Sequence, residues 1–462
     1  MIREQDRKGV VSITISIKYV FCSIILALLL CLSHITGNTL LILGCLASYM
    51  VLVAWCCSHD FTLPILLFFL PWSPIMRLSP DSYSFYTFGL VFVCLISIFK
   101  KGGAFRIYQI KAGLLILFIS LFSKLLDGSA LSFDYIAFLM MVVLFPTVKE
   151  ESVRQKYDFF QSVVFFSLGV IISALCAMYF ADYANIRKFV RVDSYLTIIR
   201  RCGFYGDPNF YVAHILAALG GVLSLILQFN KRKYVVLLGV ITLFLLYCGF
   251  LSGSKSFALI SAIIILFWIF AILKLRGRAG LKVALLACSV WVCTYIASSL
   301  MFSDLIGVII TRFLNTRDLD SFTTGRIGLW KNYIGEILSN IKVFLLGKGF
   351  TNIKINGRGS HNTIIQIFYQ FGLLGSIAII YWVNCFFQNI PTISRRPTHF
   401  NLKLFMVAVG CFAPWLAIDA LFFDEFFLLQ MYMCLAINEL GQNEYQRVPT
   451  IAKIDNQQGG KI

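Results

Sequence analysis

Charge is scarce in this sequence. Asp, Glu, Lys and Arg together make up 13% of its 462 residues, about half the share of a soluble domain, which excludes an ordinary water-facing globular surface. Acid is scarcer than base, 22 residues against 40, leaving a formal charge of +18. Histidine occurs only five times. None of the fourteen cysteines is spaced as a metal-binding CxxC pair, and all but Cys202 fall inside apolar segments. They read as small core hydrophobes, so neither a disulfide framework nor a zinc site is expected. The basic N-terminus is followed by no small-residue cleavage site, so the first apolar run reads as a retained span.

What the chain has in abundance is apolar sequence. Hydrophobic residues make up 59% and the mean hydropathy is +0.82. Runs such as "FCSIILALLLCL" and "ISAIIILFWIFAIL" approach the roughly 20 apolar residues that cross a bilayer. The expected fold class is all-α, a polytopic helical membrane bundle of about 12–14 spans. Fourteen spans are read at 15–33, 37–57, 61–77, 84–99, 109–126, 133–147, 157–180, 208–229, 233–251, 254–275, 281–303, 361–388, 402–422 and 424–440. The last two are either two short helices or one broken one. The chain thus divides into an N-terminal transmembrane bundle (residues 1–303) with an outward loop at 181–207, a large extracytoplasmic loop (304–360), C-terminal spans within 361–440, and a cytoplasmic tail (441–462).

Basic clusters test that count. Those at Arg3, Arg7 and Lys8, at Lys100, Lys101 and Arg106, at Lys149, Arg154 and Lys156, at Lys231–Lys233, at Lys274, Arg276 and Arg278, and at Arg395 and Arg396 all fall inside if the N-terminus is inside. That is the positive-inside pattern. Two outward connections break it. Segment 181–207 carries a net charge of +2 and segment 304–360 a net of +4. They read either as solvated loops or as an extracytoplasmic site for an anionic ligand. Within the longer loop, Ile327, Trp330, Ile334, Ile337, Leu338 and Ile341 share one helical stripe, with Thr323 or Thr324 as N-cap. That helix is expected on the outer surface, as a lid or merely packed on the bundle.

Three spans begin at the outer face with unusual chemistry. In "RRCGFYGDPNFY", Asp207 fits an N-cap, Pro208 the first helical position, and Asn209 follows. In "SGSKS", Ser252 or Ser254 can cap and Lys255 sits in the first turn. In "GSHN", Ser360 can cap, with His361 and Asn362 next. Helix N-termini offer unpaired N–H groups and partial positive charge. Three together with Arg200, Arg201, Lys255 and Arg358 beside them would make an anion site, with phosphate the obvious occupant. The same field favours a neutral His361 able to accept a proton. Each feature also has a bland explanation: a capped helix, a lysine snorkelling to the interface, a structural histidine. Asp318-x-Asp320 is a short match to metal-binding pairs in sugar-nucleotide transferases and reads mainly as chance. Asp424-Glu425 reads as interface polarity or as an acceptor-binding pair. His34, His59, His214 and His399 have no setting comparable to that of His361.

At these residues the chain resembles the O-antigen ligase and polymerase superfamily. The pieces, in family order, are "RRCGFYGDPNFY" (200–211), "LSGSKS" (251–256), "TTGRIGLWKNYI" (323–334), "LLGKGF" (345–350) and "HNTIIQIFYQFGLLG" (361–375). The resemblance covers about 200–385. It implies a C-type glycosyltransferase-like bundle in the bacterial inner membrane with its active site facing the periplasm. The chemistry implied is metal-independent, cofactor-free, inverting glycosyl transfer from an undecaprenyl-diphosphate-linked glycan donor to a glycan acceptor. His361 resembles the family's base. Arg201 and Lys255 match the cations that hold the leaving diphosphate, with Arg326 matching a loop arginine and Arg200 and Arg358 as neighbours. Asp207, Asn209 and Asn362 are supporting residues. The family motif usually ends in arginine where this chain has Lys255, which keeps the charge but loses the bidentate fork. Membrane lipids and a chain-length regulator are the partners implied, and no nucleic acid. Polymerase is preferred over ligase because fourteen spans and two basic outward loops suit it better. A lipid-linked glycan flippase or transporter is the non-enzymatic alternative, against which stands the scarcity of charge near span centres.

Overall fold

Apolar runs punctuated by Gly, Pro and Asn fold as helices with little else between them. The computed structural model describes residues 16–100, 107–127, 133–154, 159–190, 193–195, 198–229, 232–301, 320, 323, 325–349, 354–355, 357–387 and 398–445. In chain order the helices are α1 (Ile17–Thr36), α2 (Thr39–Ser58), α3 (Thr62–Phe69, continued by a 3₁₀ turn to Trp72), α4 (Phe85–Lys100), α5 (Ile107–Asp127), α6 (Phe133–Arg154), α7 (Phe159–Tyr179) and the single turn α8 (Ala184–Arg187). A two-stranded antiparallel ribbon follows, β1 (Asp193–Tyr195) and β2 (Ile198–Arg200), then α9 (Pro208–Gln228), α10 (Arg232–Leu251) and α11 (Lys255–Met301). The rest are α12 (Arg326–Ser339), α13 (Ile341–Leu346), α14 (Thr363–Phe387), α15 (Thr398–Phe412) and α16 (Asp424–Tyr445).

The described residues form a polytopic helical membrane protein. Seven helical segments are long and apolar enough to cross a bilayer: α1, α2, α7, α9, α10, Lys255–Lys274 of α11, and α14. Shorter apolar stretches lie at Thr62–Trp72, Phe85–Lys100, Tyr135–Val148 and Leu402–Leu416. Large side chains on their outer faces, such as Leu40 (79%), Phe99 (83%) and Leu125 (79%), stay exposed, as expected where lipid replaces water. α9 is the buried centre, packed on α7, α10, α11 and α15. Its closest neighbour is α15, because Gly220 and Gly410 each lie where a Cβ would strike a carbonyl of the other helix. Small residues bring membrane helices close in this way.

The structure departs most from the expected spans in two places. The spans read at 254–275 and 281–303 form one helical trace, α11. It cannot be straight. The Trp291 ring lies 5.8 Å from that of Phe250, itself 5.2 Å from Phe257. Thirty-four residues of straight helix would instead separate Phe257 from Trp291 by about 51 Å. The trace therefore doubles back, and among the described residues only its first arm, Lys255–Lys274, is long and apolar enough to cross a bilayer.

The span read at 402–422 breaks. α15 ends at Phe412 and gives way to 3₁₀ turns at Ala413–Leu416 and Ala420–Phe422. Irregular backbone inside a membrane protein is tolerated where it is buried or lines a cavity, and this stretch does both.

The amphipathic helix α12, read as a lid or as packed on the bundle, packs along the side of α14. The Trp330 indole N–H donates to the Ser360 carbonyl (3.0 Å) and the Tyr333 hydroxyl to that of Arg358 (2.9 Å). Further along, Glu336 pairs with Lys348 (2.6 Å) and accepts the Tyr369 hydroxyl (3.1 Å). α13 then ends at Gly347 against the kink of α14 at Gly372, whose φ of 62° suits glycine. That kink lies nine residues into the helix, about 13 Å along it. Tyr333 and Ile337 are buried, while Ile334, Leu338 and Ile341 of the expected stripe are exposed. The face with hydroxyl and indole groups turns inward because it meets open carbonyls at 358 and 360; the aliphatic face is left exposed.

Candidate functional site

The three helix starts lie at one end of the bundle. At α9, the Asp207 carboxylate accepts the Asn209 N–H (2.7 Å) with Pro208 at the first position, as the local sequence dictates. Asn209 Oδ1 then accepts the hydroxyls of Ser254 (3.4 Å) and Ser256 (3.3 Å), and Arg201 N–H donates to the Leu251 carbonyl (3.1 Å). The starts of α9 and α11 are thus stitched together. Ser252 accepts the Ser254 N–H (3.2 Å), so the serines serve the turn as well as the neighbouring helix.

The start of α14 is built differently. Asn362, not Ser360, caps it, its Oδ1 accepting N–H groups of Ile364 (3.0 Å) and Ile365 (3.2 Å). His361 therefore precedes the helix instead of opening it. Its φ of 49° is left-handed, one of two such non-glycine residues among those described, a conformation that costs about 1–3 kcal/mol. Asp419, from the broken segment, holds it there. Its carboxylate accepts the N–H groups of His361 (3.0 Å) and Asn362 (3.2 Å) and the hydroxyl of Ser360. Thr363 ties in the same segment, donating to the Ile418 carbonyl (2.8 Å) and accepting from Ala420 N–H (3.0 Å).

His361 faces a cavity of about 580 Å³, within the usual size range of ligand pockets. Its ring has no hydrogen-bond partner among the described residues, and the side chain is half-buried on the wall. Asp207 and Phe210 from α9 share that wall, as do Tyr333 of α12, Gln366 and Gln370 of α14, and Asp424 and Glu425 of α16. The cavity thus joins the first and third helix starts. Four of the expected cations do not line it. Arg201, Lys255 and Arg326 are partly exposed and Arg358 exposed, none on the cavity wall; Arg200 lies at the end of β2. The wall carries Arg77 and Lys354 instead, against Asp81, Asp207, Asp419, Asp424 and Glu425. An anion entering would meet two cations among five carboxylates.

His214, read as lacking a setting like that of His361, is absent from the cavity wall but pairs with a residue that lines it. It is 1% exposed, and its Nε2 lies 3.1 Å from Glu425 Oε1. The same oxygen accepts the Tyr205 hydroxyl (2.7 Å). Burial pushes the Tyr205 phenol above its ordinary range, so it stays a donor. Asp320 of the DxD match accepts the Gly328 N–H (2.8 Å) in the first turn of α12, a structural task; Asp318 lies outside the described residues.

Sequence reasoning missed Arg77, Lys354 and Asp419. Asp419 left one signal, a lone carboxylate inside an apolar run. Arg77 and Lys354 left none that separates them from other loop cations.

The fold defines a class, a polytopic helical membrane protein with a polar cavity at one end of its bundle. No protein-family model matches the chain, and no curated protein or solved structure matches it.

Proposed function

We propose that the chain is a glycan polymerase, joining undecaprenyl-diphosphate-linked repeat units into O-antigen or a related surface polysaccharide at the outer face of the inner membrane. The observation that carries this reading is His361: a histidine held by Asp419 in a left-handed conformation, its ring unpaired, on the wall of a cavity at a membrane-protein helix start. In the proposed reaction His361 takes the proton of an acceptor hydroxyl. The oxygen attacks the donor's anomeric carbon from the face opposite the diphosphate, whose C–O bond breaks and which leaves with the electron pair. Arg77 and Lys354 are the cations on the cavity wall that can meet the developing charge; Arg201 and Lys255, at the stitched starts of α9 and α11, are placed to attract the donor to the same end of the bundle. The proton later passes from His361 to solvent.

General-base help of this kind is worth about 10²–10⁴-fold, so His361→Ala should abolish long surface glycan while the protein still inserts. Full-length polymer from that variant would overturn the catalytic role. Gene deletion separates the related activities. Core carrying a single repeat unit means a lost polymerase, bare core with long chains kept on the carrier means a lost ligase, and lipid-linked units accumulating inside mean a lost flippase.

A further inference from the structure

Proton removal and leaving-group stabilisation leave one side of the cavity unused. Of its five carboxylates, Asp207 and Asp419 are committed to helix starts. Asp424 and Glu425 are each half-committed. Glu425 is 1% exposed and takes both Tyr205 and His214 on Oε1 alone; Asp424 takes the Thr87 hydroxyl on Oδ2 (2.9 Å). Neither has a protein partner for its second oxygen among the described residues.

Gln370 adds an independent observation. Its side chain, only 6% exposed, lies on the same cavity wall and makes no hydrogen bond, with Oε1 fully buried. A buried amide without a partner costs about 1–3 kcal/mol, and such groups in folded proteins are nearly always satisfied. Its Oε1 is enclosed, so the edge left open to the cavity is the Nε2 donor. Around these groups stand aromatic rings: Tyr83 packs on Phe133 with centroids 4.0 Å apart, and both line the cavity.

Acceptor oxygens beside ring faces suit a sugar, whose hydroxyls donate and whose C–H faces pack on aromatics. We propose that this flank is a binding subsite for a non-anionic glycan, with Glu425 and Asp424 taking its hydroxyl or amide hydrogens and the Gln370 amide donating to its oxygens. Naming that glycan the acceptor of the transfer reaction rests on the polymerase reading; the binding itself does not. A uronic acid or phosphorylated sugar would set like charge against the buried Glu425 carboxylate and is rejected by that repulsion.

The test uses the purified full chain in detergent and saturation-transfer NMR. Probes are the uncharged trisaccharides of glucose, galactose and N-acetylglucosamine, with trigalacturonate as the anionic comparison. At least one uncharged probe should bind, with trigalacturonate about tenfold weaker or absent, and Gln370→Leu and Glu425→Gln should each weaken the uncharged probe by about tenfold. Should Glu425→Gln fail to fold, Gln370→Leu, which removes no protein hydrogen bond, decides alone. Binding of trigalacturonate as tight as the best uncharged probe, no binding by any of the three, or wild-type binding by the Gln370→Leu protein would overturn the subsite. Sugar binding together with normal surface polymer after gene deletion would sink the polymerase reading and leave the subsite standing. Polymer loss without sugar binding would do the reverse.

Discussion

The starts of α9 and α14 carry similar sequence, a glycine-rich approach and a polar cap before an apolar helix, and they are held in opposite ways. Before α9, the left-handed positions belong to glycines, Gly203 (φ 58°) and Gly206 (φ 66°), and the cap is Asp207, two residues from its donor. Before α14, Gly357 (φ 74°) is left-handed as well, but the position next to the cap belongs to His361, and the loop is pinned by Asp419, 58 residues along the chain. The first cap is made within its own sequence, with ties to the start of α11 added by Asn209 and Arg201. The second exists only when the broken segment after α15 is in place, and a strained residue held from elsewhere is the pattern found at functional sites.

Asp419→Ala should separate the two most sharply. It strips the acceptor from Ser360, His361 and Asn362, and losing a network of charged hydrogen bonds costs about 2–5 kcal/mol. Thermal unfolding of the purified protein should fall accordingly, and long surface glycan should disappear. An unchanged unfolding temperature would show that the His361 loop holds itself. Asp207→Ala should cost only about 1 kcal/mol, the worth of an N-cap, because Pro208 and the glycines keep the α9 start in shape. A loss as large as that of Asp419→Ala would erase the contrast.

The strain at His361 can be read directly by comparing two inactive variants. His361→Gly and His361→Ala both lack the imidazole, but only glycine adopts φ near 49° freely. The glycine protein should therefore be the more stable by about 1 kcal/mol, measured as the difference in unfolding free energy. Equal stabilities would mean that the left-handed conformation is not a cost the rest of the fold carries.

The same contrast explains what the sequence made legible. The ends of α9 were readable because Asp207, Pro208 and Asn209 act on each other within two residues. Most other helix ends followed from hydropathy for the same reason, that the signal and its consequence lie close together. The His361 site was half-readable. Its histidine stood out, but Asp419 was hidden in an apolar run, and the pairing of Glu425 with Tyr205 and His214 spans 220 and 211 positions. Charge misled in a specific way. Arg201, Lys255 and Arg358 sit in the loops and first turns expected, yet net charge says nothing of the direction in which a side chain leaves the backbone, and none of them reaches the cavity wall. The stripe on α12 failed likewise: Ile334 and Leu338 have the right spacing but face outward, since periodicity cannot tell a core from lipid.

Lys255 offers the finest discrimination. At a phosphate clamp, arginine's planar fork gives two parallel hydrogen bonds where lysine gives a point charge, so Lys255→Arg would change donor binding markedly. At the place observed, the first residue of α11 and off the cavity wall, either side chain supplies the same single charge to the approach. Lys255→Arg should therefore leave the length distribution and amount of surface glycan within about twofold. A change of about tenfold would move Lys255 from the approach to the phosphate itself, and would join the starts of α11 and α14 into one catalytic surface.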